Sequence, residues 1–235
     1  MMVHSNLTLI FEIPQQASST SLLAAVSFFS ALLGALATGL LKYGMDRKSK
    51  MLQSYGQLIG KKFSIVQTYK NLLYYTCDVY YNEALKKEAE KLAELNPKET
   101  DNYQNQMERV DEVNQENKGL YDRELRDLTK EIENFWRIIG KIQGLLNDTR
   151  NLDKLIDDIG ISQKSLDDFQ SGLIADTREG LPDKYITATK QLKSSWRDKK
   201  KIEIDENIKN FELKIDDLIV FVNEKKNKPW WNYLK

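Results

Sequence analysis

From Leu22 to Leu41 the chain carries 20 residues interrupted only by Ser27, Ser30, Thr38 and two glycines. No charged side chain occurs from Ile13 to Leu41, and a basic cluster follows at once: Lys42, Arg47, Lys48, Lys50, Lys61 and Lys62. As a helix the run is about 30 Å long, the thickness of the hydrocarbon core of a bilayer. Hydroxyl groups do not disqualify it, because Ser and Thr can bond back to their own helix. A cleaved secretory signal would carry a basic start, yet residues 1–21 hold neither Lys nor Arg. Ala35-Leu36-Ala37 resembles a cleavage site. A buried core helix is the other reading. The basic cluster decides for an anchor, since such clusters resist translocation and mark the cytoplasmic side. Lys42, Arg47, Lys48 and Lys50 are therefore the topology-determining residues. The expected arrangement puts the N-terminus outside and the C-terminal part in the cytoplasm, as in a single-pass protein of a bacterial inner membrane.

Small residues recur within the anchor. Ser27, Ala31, Ala35 and Gly39 are four apart, with Ser30, Gly34 and Thr38 as a second row. Small side chains at this spacing let two membrane helices approach closely. The first row is the expected self-association face.

The remainder of the chain is different in kind. Nearly all of its 35 basic and 35 acidic residues lie beyond Leu41, while Gly and Pro number only 11 and 4. Abundant Lys, Glu, Leu and Ile with few breakers is the profile of long helices. Balanced charge argues against a nucleic-acid partner, which calls for a basic excess. The one cysteine, Cys77, excludes an intramolecular disulfide.

Periodicity divides this part into long helices. Tyr55, Ile59, Phe63, Val66, Tyr69, Leu73, Cys77, Tyr80 and Ala84 recur with a mean gap near 3.6, so the anchor is expected to continue into one helix with this stripe as its packing face. Asn96-Pro97 breaks it. A second helix is expected from about Asp101 to Leu146. Its seam of Tyr121, Leu125, Leu128, Ile132, Phe135, Ile139, Ile142 and Leu146 keeps heptad spacing, and its first half is weakened by Asn114 and Asn117. Residues 147–181 read as two short helices, with Gly160 stopping the first. From Asp183 to Asn227 neither Gly nor Pro occurs, and Leu192, Trp196, Ile204, Ile208, Phe211, Ile215, Leu218 and Val222 line one face. One long helix is expected there, with a potential break at Asp198-Lys199-Lys200-Lys201. No segment alternates with period two convincingly; Leu7–Ile13 is too short for an independent strand.

Catalytic patterns are missing. His4 is the only histidine and precedes the anchor. Ser-His and Cys-His nucleophiles are thereby excluded from the C-terminal part. There is no Cys/His zinc set, phosphate loop or dinucleotide fingerprint. The doublets Asp157-Asp158, Asp167-Asp168 and Asp216-Asp217 invite a divalent ion, but neighbours on a helix point about 100° apart and converge poorly. Cys77, on the apolar stripe, reads as a small buried hydrophobe. Tyrosines at 69, 74, 75, 80 and 81 offer either a binding surface or core, with Tyr69 and Tyr80 as the core members. The terminus Lys225-Lys226-Asn227-Lys228-Pro229-Trp230-Trp231-Asn232-Tyr233-Leu234-Lys235 brings Trp230, Trp231 and Tyr233 between lysines, a composition suited to a membrane interface or a partner groove.

The expectation is an all-α protein: a short external tail (1–20), a membrane helix (21–41), a long helical hairpin (42–147), a connector with a long last helix (148–228) and the Trp-rich tail (229–235). The expected function is non-enzymatic, with no cofactor or metal: a scaffold, tether or sensor that contacts lipid, forms homo-oligomers or binds a protein partner. The alternative is a membrane-acting effector whose clustering anchors breach the bilayer.

Overall fold

The computed structural model describes residues 18–95, 100–146, 149–178 and 190–229. The described residues are all helical apart from short helix ends. In chain order the helices are α1 (Ser18–Leu95, 78 residues), α2 (Thr100–Leu145, 46 residues), α3 (Thr149–Arg178, 30 residues) and α4 (Lys190–Lys226, 37 residues). The break at Asn96-Pro97, the segment 7–13, and Trp230, Trp231 and Tyr233 lie outside the described residues.

α1 is the axis on which the others pack. α2 returns along it, since Lys61 Nζ donates to both carboxylate oxygens of Glu131 at 2.9 and 2.8 Å, while Lys86 higher up reaches Asp111 at 2.7 Å. α3 turns back again and runs with α1: the Tyr69 hydroxyl donates to Asp167 at 3.3 Å, and the Gln170 amide reaches Thr76 Oγ1 at 3.4 Å. α4 descends. Arg197 Nε donates to Asp78 at 2.6 Å, Lys70 pairs with Asp205 at 2.8 Å, and Lys62 pairs with Asp216 at 2.7 Å. These successive reversals place the end of α4 on the same side as the apolar start of α1.

The core forms where four seams meet. On α1, Met51, Leu58, Ile65, Leu72 and Val79 are buried at seven-residue steps. Leu128, Phe135, Ile139 and Ile142 come from α2, with Leu146 just past its end; of the expected heptad seam, Leu125 is instead 40 % exposed. Trp196, Ile204, Ile208, Phe211, Ile215, Leu218 and Val222 come from α4, the predicted face. Tyr69 and Phe211 meet edge to face with ring centroids 5.4 Å apart, and Tyr81 stacks on Trp196 at 6.0 Å.

Three expectations need correction. The first concerns α1. Of its predicted packing stripe Tyr69, Leu73, Cys77 and Ala84 are buried, but Tyr80 is only half-buried and Ile59 and Phe63 are 44 % and 75 % exposed. The lower half of α1 carries two apolar rows about 100° apart, one through Leu58 and one through Ile59. The other helices take the first row. The second correction concerns Gly160, which does not end a helix. α3 passes through it because Leu152, Ile159, Leu166 and Leu173, all buried and seven apart, form one seam across it. Burial of that seam outweighs the roughly 1 kcal/mol that an interior glycine costs. The third concerns residues 198–201, where α4 is continuous. Lys200 there is held by Glu203 at 3.0 Å and Asp176 at 3.3 Å, and Lys201 by Asp78 at 3.4 Å.

In the first half of α2, Asn114 and Asn117 are half-buried, and the Asn114 Oδ1 is shielded from water with no hydrogen-bond partner.

Candidate membrane span and interaction surfaces

α1 is the one helix, among the described residues, long and apolar enough to cross a membrane. From Val26 to Leu41 its side chains are exposed and pack against no other helix, with Phe28, Phe29 and Leu33 each more than 60 % open. Two of the three hydroxyls of this stretch bond back to their own helix. Ser30 Oγ donates to the Val26 carbonyl and Thr38 Oγ1 to the Gly34 carbonyl, both at 2.7 Å. Ser30 and Thr38 can thus enter an apolar medium with their hydroxyls satisfied. Ser27, Ala31, Ala35 and Gly39 are all exposed, and a Cβ added at Gly34 or Gly39 meets nothing within 4 Å.

The basic cluster lies where the packed helices begin. Arg47 donates to the Gly144 carbonyl at 3.2 Å, in the last turn of α2, where helix carbonyls lack internal partners and the dipole favours a cation. Lys42 and Lys50 are exposed, and Lys48 is half-exposed. Lys61 and Lys62 are committed to Glu131 and to Asp216 and Glu212. Lys225 and Lys226 close α4 at the same level, with Lys226 Nζ 3.5 Å from the centre of the Tyr55 ring. The sequence left open whether the last helix ends near the apolar segment; the packing brings it there.

The remaining singled-out residues have structural roles. Cys77 is fully buried, and burial pushes its thiol up to about 12. Tyr69 and Tyr81 are the buried tyrosines, not Tyr80. Tyr74 donates to Asp205 at 2.9 Å. The hydrogen bond from Lys70 holds the Asp205 carboxyl below the usual range. The acidic doublets are split as helix geometry requires: Asp216 faces Lys62, Asp167 faces Tyr69 and Asp158 lies 4.0 Å from Lys214. Among the described residues no three His, Cys, Asp or Glu side chains gather as metal ligands.

Sequence reasoning missed the open row itself. Leu52, Ile59 and Phe63 are exposed on α1, and the last two border a groove of about 630 Å³ between α1 and α4, with Ile208, Lys209 and Glu212 on its far wall. Its signal was present in the two competing apolar rows.

Comparison with known protein families, characterised proteins and solved structures finds no match.

Proposed function

We propose that this protein is a non-enzymatic, membrane-anchored scaffold or tether, with a cytoplasmic helical bundle displayed on a rigid stalk. One observation carries the reading: α1 is a single helix whose first part is apolar and unpacked and whose second part is the axis of the packed helices. A movement or encounter of the bundle is then transmitted to the span without an intervening linker.

Charge at the base agrees with a membrane there. Arg47 and Lys50 lie within about 14 Å of Leu41 along α1, where anionic headgroups would attract them. Tyr55, beside Lys226, is 14 positions beyond Leu41, about 21 Å along the helix. Residues 227–235 extend to at most about 30 Å. Tyr233, seven positions past Lys226, can therefore span the distance to Leu41, whereas Trp230 and Trp231, four and five positions past it, extend to at most about 14 and 18 Å.

Amine cross-linking of the full-length chain in native membranes tests the reading. A scaffold gives discrete adducts, either with itself or with a partner. Absence of any discrete adduct contradicts it. The effector reading is favoured by the open faces of Gly34 and Gly39. It predicts leakage of an ionic dye on overexpression, lost on combining Ala35→Leu with Gly39→Leu.

A further inference from the structure

The open row on α1 is the lower continuation of a line that α4 occupies higher up. At about 100° per residue, Leu52, Ile59 and Phe63 lie within about 60° of the line through Lys70, Tyr74 and Tyr81. Above Lys70 that line is covered by α4 through Lys70 to Asp205, Tyr74 to Asp205 and Tyr81 to Trp196. Lower down α4 has drifted aside and meets α1 at Lys62 and Tyr55 instead. Packed helices cross at about 20° rather than lie parallel, so such a drift is expected. It leaves a seat of helical shape from Val66 down to the span, apolar at Leu52, Ile59 and Phe63.

The same line runs on into the apolar segment, because α1 is unbroken. There it is followed by Ser27, Ala31, Gly34 and Thr38, all within about 60° of Leu52 and Phe63. Ala35 and Gly39 turn progressively away from it. A Cβ at Gly34, Gly56 or Gly60 meets nothing within 4 Å, so no packing within this chain requires glycine at these positions.

We propose that the occupant of this face is α1 of a second copy, packed parallel and in register from Ser27 to Phe63. The proposal rests on the membrane-anchored reading and specifies its partner. The occupant must follow one line through both an apolar and an aqueous section. A second α1 does so by construction, and a shared membrane orientation makes it parallel. Area supports the same occupant. Leu52, Ile59 and Phe63, at 47 %, 44 % and 75 % exposure, offer a few hundred Å², on the order of what one or two aromatic side chains bury. A stable interface needs about 800 Å² per partner. The aqueous section is thus too small to hold a dimer alone, whereas the whole line, about 54 Å long, extends the contact through the span. The line carries one charge, Lys48, about 40° from Leu52 and half-exposed, whose long side chain can turn outward to the headgroups. One flank carries Lys62 with Glu212, already paired at 2.9 Å, and the other carries Gln53, Gly60 and Gln67, with Lys42 at the edge of the span.

The test is a cysteine scan of the full-length chain in native membranes, with Leu52→Cys, Ile59→Cys, Phe63→Cys, and Lys50→Cys and Gln57→Cys as exposed positions on other faces. Buried Cys77 stays in place. Oxidation is expected to give a dimer band several-fold stronger at 52, 59 and 63 than at 50 and 57. Phe63→Glu should remove the band from Leu52→Cys while leaving the helical signal of the chain intact. Maxima at 50 or 57, or no band at any position, overturn the proposal. So does a Phe63→Cys thiol that stays shielded from a maleimide until residues 229–235 are deleted, which would make the chain's own tail the occupant. Alkaline extraction of the same membranes separates the two levels. Protein that stays in the membrane without cross-linking defeats only the dimer, whereas extracted protein defeats the anchor.

Discussion

Phe63 and Phe211 are both phenylalanines on long amphipathic helices, yet one is 75 % exposed and the other fully buried. Truncating them separates the open apolar row of α1 from the core. Phe211→Ala removes a ring packed against Tyr69 and should cost about 3–5 kcal/mol in urea unfolding of the detergent-solubilised chain. Phe63→Ala should stay within about 0.5 kcal/mol of the parent, since it leaves no cavity in the monomer. Cys77 gives a second check at this scale. With its thiol pushed up to about 12 by burial, it carries almost no thiolate at about pH 8. Iodoacetamide should leave it unmodified in the folded chain and label it fully in denaturant. Labelling of the folded chain at the rate of a free thiol would show that the seam around Leu73 and Cys77 is not closed.

At the scale of the element, long seams were legible and their competition was not. α4 carries one apolar row on an otherwise charged helix, so periodicity alone identifies its buried face; in α2 it does so from Leu128 onward, while Leu125 on the same heptad row is exposed. α1 carries two rows between Met51 and Val66, and nothing in the spacing says which the other helices take. That choice is made by their crossing angles, a tertiary property. α3 was misread for a local reason. Gly160 looks like a stop, yet the seven-residue repeat Leu152, Ile159, Leu166, Leu173 runs straight through it. Because α3 is helical there and a Cβ at 160 meets nothing within 4 Å, Gly160→Ala should stabilise the protein by about 0.5–1 kcal/mol. Destabilisation in the same unfolding experiment would argue for a break at that position.

At the scale of the whole molecule, the apolar segment and its basic flank could be read directly from composition. The return of α4 to that end could not, because it depends on the path of α3. Ion pairs that fix the return sit at successive heights: Asp78 with Arg197, Lys70 with Asp205, Lys62 with Asp216. Asp78 is the least exposed of these acids and holds both Arg197 and Lys201. Asp78→Ala leaves two cations facing each other and should cost about 1–3 kcal/mol. A loss well below that range would mean that the top of α4 is held by the Tyr81–Trp196 stack alone.

Everything proposed for this protein depends on the first part of α1 residing in a bilayer. The direct measurement is alkaline carbonate extraction of membranes containing the full-length chain, beside a chain carrying Leu33→Lys and Leu36→Lys. Neither residue packs against another helix, so the packed helices should be unaffected by the change. The account predicts that the parent stays in the membrane pellet and the variant moves to the supernatant with its helical signal retained. Release of the parent by carbonate would contradict the anchor, and with it the stalk, the basic base and the paired α1 helices.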